Sequence, residues 1–252
     1  MKRPYALLLV LPLLASAAVT WGQDLPPGDP VKGKVVYTRY CVSCHGELGN
    51  GAGEFAEWIT TKPRDYRQGT FKWRSTPSGA LPTDSDLDKT IRDGIYGTFM
   101  PSWYPIGEHN RRDVIAYIKT FSVRWTTEKP PAAITIPPEP GYTEASVRRG
   151  RAVYEKSNCA QCHGQDALGD GPSAHELKDD WGNPIVPYDL TQGHIKCGDT
   201  GKDIYRVFIT GLNGTPMPSF TDSISSEEAW DLVHYIQSLS VLYPKNVQAA
   251  AK

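Results

Sequence analysis

Apolar residues recur at helical spacing in six stretches of the chain, and the six fall into two sets of three. Val31 to Tyr40, Asp84 to Arg92 and Arg111 to Phe121 form the first set. Ser146 to Ser157, Asp199 to Ile209 and Ser226 to Leu239 form the second. An acidic first turn opens the helix at Asp84, and Gly94 and Gly211 stand where a helix C-cap needs a residue free to turn. Asn110 is placed to cap the helix from Arg111. Ser225-Ser226-Glu227-Glu228 supplies caps and acids to the last helix. Tyr117 and Tyr235 occupy equivalent places in the final helix of each set and are expected to pack against the first. The pattern predicts an all-α chain with long loops.

The loops repeat as well. Gly49-Asn50-Gly51 is matched with Gly169-Asp170-Gly171, and Asp65-Tyr66-Arg67-Gln68-Gly69 with Asp189-Leu190-Thr191-Gln192-Gly193. Gly97-Thr98-Phe99-Met100-Pro101-Ser102-Trp103 is matched with Gly214-Thr215-Pro216-Met217-Pro218-Ser219-Phe220. One domain therefore occurs twice, over residues 28–125 and 144–243, with a tail at 244–252. The connection, residues 126–143, contains Pro130, Pro131, Pro137, Pro138 and Pro140. Prolines this dense prevent a regular helix and favour an extended, stiff segment. Ile134 and Ile136 suit it to pack on a domain surface as a strap rather than hang as a tether.

Each copy carries one C-x-x-C-H motif, Cys41-Val42-Ser43-Cys44-His45 and Cys159-Ala160-Gln161-Cys162-His163. Two thiols at this spacing reach both vinyl groups of one porphyrin, and the adjoining imidazole lies against the iron. A zinc site would need further ligands, and neither copy repeats a second cysteine pair. The spacing predicts two covalently bound haem c groups, with His45 and His163 as proximal ligands.

A second axial ligand must come from across each porphyrin. Beyond the initiator the chain has two methionines, Met100 and Met217, in register in the two Gly/Pro loops. An isolated methionine is ordinarily core filler. Two in register, each followed by a proline that stiffens the loop, are expected to ligate iron and to raise its potential relative to bis-histidine ligation. Such an iron has no open position for substrate, which argues against catalysis. Arg64, Arg67, Lys72, Trp73 and Arg74 cluster in the first long loop as candidate contacts to haem propionates or the haem edge. The second copy has His194, Ile195, Lys196 and Cys197 there instead, so its haem environment is expected to differ. His194 is the competing iron ligand. Cys197 is left over from the haem motifs. Its alignment near Trp73 favours a buried packing role over a surface thiol, an intermolecular disulfide or an iron ligand.

Lys2 and Arg3, the apolar run Tyr5 to Leu14 and Ala15-Ser16-Ala17 read as a signal peptide over residues 1–22. The run is shorter than the roughly 20 residues of a bilayer span, so no integral membrane span is expected in the mature chain. Export agrees with covalent haem attachment and predicts a periplasmic protein. The net charge of −1, without a basic patch, excludes nucleic acid as a partner.

These motifs, with M100-P-S-W and M217-P-S-F, resemble the class I cytochrome c family in its diheme, two-domain form. The resemblance covers nearly all of the mature sequence. It implies two small all-α domains whose terminal helices cross while long loops enclose haem, and the ligand pairs His45/Met100 and His163/Met217. It also implies electron transfer between respiratory redox partners: another cytochrome, an oxidase, a reductase or a membrane respiratory complex. Two alternatives stand beside the carrier. One is an enzyme similar to thiosulfate dehydrogenases, with Cys197 near or on the second haem. The other is a haem-carrying relay or docking subunit of a larger oxidoreductase complex.

Overall fold

The computed structural model describes residues 26–196 and 198–240. The expected signal peptide, the tail at 244–252 and Cys197 lie outside the described residues. The fold is all-α among these residues, with one isolated bridge between Lys178 and Pro184. The first lobe contains α1 (Pro30–Tyr40), α2 (Val42–His45), α3 (Asp84–Asp93), α4 (Gly107–Lys119) and α5 (Arg124–Thr127). The second contains α6 (Glu144–Lys156), α7 (Ala160–His163), α8 (Gly201–Thr210) and α9 (Ser226–Leu239).

Each lobe is built on a crossing of its first and last long helices, α1 with α4 and α6 with α9. A glycine sits at each crossing. A Cβ on Gly33 would collide with the Asp113 carbonyl, and one on Gly150 with the Asp231 carbonyl. The helices therefore touch backbone to backbone, and the neighbouring rings fill the wedge beside the contact. Tyr37 packs edge-on against Tyr117 at 5.2 Å, and Tyr154 against Tyr235 at 5.4 Å. The packing expected of Tyr117 and Tyr235 is observed. Each core is a separate apolar cluster, around Val36, Val114 and Ile115 in one lobe and Val153, Trp230 and Val233 in the other.

Helix boundaries follow the caps. Thr83 and Ser225 close capping boxes at α3 and α9 with Asp86 and Glu228, and Gly94 and Gly211 end α3 and α8 at positive φ. Asn110 is not the cap of α4. A 3-10 turn over Tyr104–Ile106 leads straight into the helix, so Asn110 falls in the first turn and donates to the Ile106 carbonyl at 2.8 Å. Likewise α8 starts after Thr200, whose hydroxyl accepts from the Asp203 amide, rather than at Asp199.

The backbone also revises the repeat. Gly51 and Gly169 donate to the carbonyls of His45 and His163, and Gly53 and Gly171 to those of Cys44 and Cys162. Gly51-Ala52-Gly53 is thus the counterpart of Gly169-Asp170-Gly171. Gly49 corresponds to Ala167, both left-handed at φ +61 and +59. Composition had pointed two residues away.

The proline-rich connection touches both lobes. Ile134 donates its amide to the Ser75 carbonyl at 2.8 Å, Ile136 packs on the second core, and Glu139 lies 3.6 Å from His234 Nε2. The lobes meet directly as well. Arg74, only 1% exposed, reaches across to the C-terminal carbonyls of α8, Thr210 at 2.5 Å and Gly211 at 3.4 Å. A guanidinium suits that place, because a helix C-terminus presents unpaired carbonyls and partial negative charge.

Candidate haem sites

In each copy the C-x-x-C-H motif forms one helical turn directly after the first long helix. A buried tyrosine one turn upstream fixes its exit: Tyr37 donates to the Gly46 carbonyl and Tyr154 to the Gly164 carbonyl, both at 2.7 Å. Gly46 and Gly164, at φ +77 and +83, turn the chain back so that this carbonyl points inward. The motif histidines are then oriented from the loop that follows. His45 Nδ1 lies 3.2 Å from the Arg64 carbonyl, and His163 Nδ1 lies 3.3 Å from the Tyr188 carbonyl. A carbonyl accepts only from a protonated nitrogen, so the proton sits on Nδ1 and Nε2 keeps the lone pair an iron would take. Burial lowers the pKa of both imidazoles, that of His45 to about 4, partly offset by the carbonyl bond. Both are neutral at ordinary pH, as a metal ligand must be.

The four motif cysteines are partly buried. Burial pushes Cys41 up to about 12 and Cys159 up to about 11, so both are neutral thiols that can add across vinyl groups. Among the described residues no group of three or more His, Cys, Asp or Glu side chains is arranged to hold a metal ion.

The methionine loops have the same bonds in both lobes. Ile95 and Leu212 donate to the carbonyls of Met100 and Met217, whose own amides donate to Thr98 and Thr215 hydroxyls at 3.1 and 3.2 Å. Ser102 and Ser219 tie each loop to the end of the preceding helix, through the carbonyls of Arg92 and Ile209. Both methionines pack against their lobe's core, as Cys41 and Cys159 do.

The basic cluster lies largely where the lobes meet. Arg67 pairs with Asp65 at 2.7 Å. Arg74 caps α8, and Trp73 lines a cleft between the lobes with Lys89, Tyr96, His194 and Lys196. Arg64 lies 4.4 Å over the Trp181 ring. Burial lowers Lys72 to about 8, helped by repulsion from Arg64 and Lys196. His194 bonds Asp199 at 2.8 Å and packs on Tyr96 at 4.9 Å. Trp125 and Trp181 each bury an indole N–H without a partner. Buried donors of this kind call for an acceptor. Desolvated cations and orphaned N–H groups of this kind fit the carboxylates of haem.

Sequence reasoning missed Tyr66 and Trp181. The Tyr66 ring stacks on His45, its hydroxyl 3.1 Å from Nε2. The signal was present in the repeat, since this tyrosine is a leucine, Leu190, in the other copy.

Known proteins agree with this arrangement. The family described as cytochrome c matches residues 30–122, and that described as cytochrome c oxidase, cbb3-type, subunit III matches residues 145–236. The cbb3-type cytochrome c oxidase subunit FixP of Sinorhizobium medicae is 29% identical over 104 residues, 40% of this chain and 32% of that protein. The chain thus matches about a third of the length of that curated relative. A chain of the Kuenenia stuttgartiensis reducing HAO-like protein complex Kustc0457/Kustc0458 superposes with a TM-score of 0.84 at 42% identity. The match covers 86% of this chain and all of that one. Two haem-attachment motifs, one in each of two lobes of a single repeated design, and this match over a whole solved chain place the protein among the diheme c-type cytochromes.

Proposed function

We propose that the protein is an exported electron relay, ligated by His45 and Met100 in the first lobe and by His163 and Met217 in the second, working as a docked subunit of a larger respiratory oxidoreductase. The carrying observation is the repetition of one arrangement. In each lobe an imidazole is held through Nδ1 and a methionine loop is fastened by the same bonds in register. Bound haem supplies reversible one-electron exchange at iron. The chain supplies the rest: it orients both imidazoles, keeps them neutral, stiffens the methionine loops and buries the surroundings. Rigid surroundings limit reorganisation on electron transfer. Methionine at both irons gives two high-potential sites and no position for substrate, so no bond-making chemistry is assigned.

Docking to a complex is supported by the whole-length similarity to a chain whose solved structure is a multi-protein assembly. Among the described residues no helix is long and apolar enough to cross a membrane, so membrane association would run through a partner. The deciding experiment is haem quantification per chain, combined with the near-infrared band of methionine bound to ferric iron and pull-down from the native host. Two haems, a band of two-site intensity and stable co-purifying subunits support the reading. Half the band together with thiosulfate turnover would overturn it in favour of an enzyme.

A further inference from the structure

Arg64 belongs to both lobes at once. Its carbonyl, in the first lobe, accepts from His45 Nδ1 at 3.2 Å. Its guanidinium, 4.4 Å over the Trp181 ring, lies in the second. Trp181 stands at the root of the second methionine loop, because the neighbouring Asp180 amide donates to the Gly214 carbonyl at 3.2 Å. A Cβ on Gly214 would come within 2.8 Å of both Arg64 Nη1 and the Trp181 ring. Gly97, the counterpart in the first lobe, has nothing within 4 Å of a Cβ. The second methionine loop is therefore covered at Gly214 by an arginine of the first lobe, whereas the first loop is open at Gly97 and meets the second lobe through Tyr96 and His194 instead.

We propose that Arg64 is a positioning residue that couples the two haem sites, transmitting the state of the Met217 loop to the His45 imidazole through its own backbone. This rests on the proposed haem ligation and adds the route by which one site senses the other. The path is short and stiff: Met217 loop, Gly214, the guanidinium–indole stack, the Arg64 carbonyl, His45. A guanidinium over an indole face is held by the ring quadrupole, more strongly when water is excluded. Asp179, Asp180, Asp65 and Tyr66 surround Arg64 and support its charge, while burial opposes it, lowering its pKa to about 10. The side chain stays cationic. A desolvated cation beside both sites stabilises the electron-rich, reduced state of each. The Trp181 indole N–H, buried in the same place without a partner, would donate to a haem carboxylate.

The test is a redox titration of the purified diheme protein with electron paramagnetic resonance of the ferric state. The wild type, Arg64→Gln, Trp181→Ala and Trp181→Phe are compared, and the first-lobe wave is identified as the one moved by Met100→His. Trp181→Ala, a change confined to the second lobe, is expected to lower the first-lobe midpoint. The expected shift is about tenfold in the electron-exchange equilibrium, ~59 mV for one electron, with an altered first-lobe imidazole signal. Arg64→Gln does the same, and Trp181→Phe, which keeps an aromatic face, restores the wild-type value. A first-lobe midpoint and signal unchanged in Trp181→Ala would overturn the coupling even if Arg64→Gln failed to fold. Absence of two haem waves in the wild type would instead overturn the haem reading itself, so the two failures are distinct.

Discussion

The Tyr66 hydroxyl lies 3.1 Å from Nε2 of His45, and the two rings lie nearly parallel, 19° apart with centroids at 4.8 Å. Nε2 is the nitrogen that the Arg64 carbonyl leaves for iron, so the hydroxyl and a metal compete for one lone pair. The second copy manages with Leu190 at this place and has no such bond. Tyr66→Phe keeps the stack and removes only the competitor. It is expected to load the first haem at least as well as the wild type and to destabilise the haem-free chain by about 1 kcal/mol. Haem per chain and urea unfolding before loading check both halves. Loss of the first haem in Tyr66→Phe would instead make the hydroxyl part of the haem site.

Gly33 and Gly150 give a sharper pair of outcomes, because each serves one lobe. Both lie where crossing helices meet backbone to backbone, and an added methyl would strike a carbonyl that cannot swing away. Overpacking of this kind costs roughly 1–3 kcal/mol. Gly33→Ala is expected to destabilise the first lobe alone and Gly150→Ala the second alone, read as selective loss of one haem absorbance during thermal unfolding. Equal loss from both lobes in either variant would contradict two separate cores.

The repeat, the haem motifs, the six long helices and the strap were all legible in the chain, because each depends on local chemistry: helical periodicity, cap residues, motif spacing and proline stiffness. Non-local contacts were not. Nothing near Arg74 in sequence indicates that its partners are the carbonyls of Thr210 and Gly211 in the other lobe. Arg64 read as a loop cation because its indole partner is more than a hundred residues away. The glycine register slipped for a related reason. Gly49 and Ala167 share a left-handed backbone with different side chains, so composition matched the wrong pair while hydrogen bonding kept the true one.

The Arg74 clamp predicts cooperativity between the lobes. Its guanidinium also meets the carbonyls of Pro77, Phe71 and Lys72, so one buried cation joins the first long loop to the end of α8. Hydrogen bonds from a charged group contribute roughly 1.5–3 kcal/mol, and removing the donor leaves buried carbonyls unpaired. Arg74→Met, which keeps much of the apolar stem, is expected to lower the unfolding midpoints of both lobes and to expose the 70–80 loop to protease. Unchanged midpoints with wild-type protease resistance would show that the strap and the remaining interlobe contacts suffice.

His234 makes the second lobe sensitive to acid. It is fully buried on α9, with Nδ1 2.8 Å from the Ser146 hydroxyl of α6. On the other side Nε2 faces Glu139 of the strap at 3.6 Å, and Tyr142 packs on the ring. Asp231, Arg149 and Trp230 complete its surroundings. Burial lowers its pKa below the ordinary 6.5, outweighing the pull of Glu139 and Asp231, while Arg149 adds to the lowering. Above 6.5 the ring is neutral in both folded and unfolded chains and contributes no pH dependence. As pH falls below that value the unfolded chain takes up the proton first, so stability declines until the folded pKa is reached. The unfolding midpoint of the second lobe should therefore drop as the pH falls below 6.5, and His234→Gln, which does not titrate there, should make that slope shallower. The first lobe has Ala116 at the equivalent position of α4, so the part of the slope that His234→Gln removes belongs to the second lobe, while the buried His45 and His163 give each lobe an acid dependence of its own. A slope unchanged in His234→Gln would assign the acid sensitivity to the motif histidines and the carboxylates.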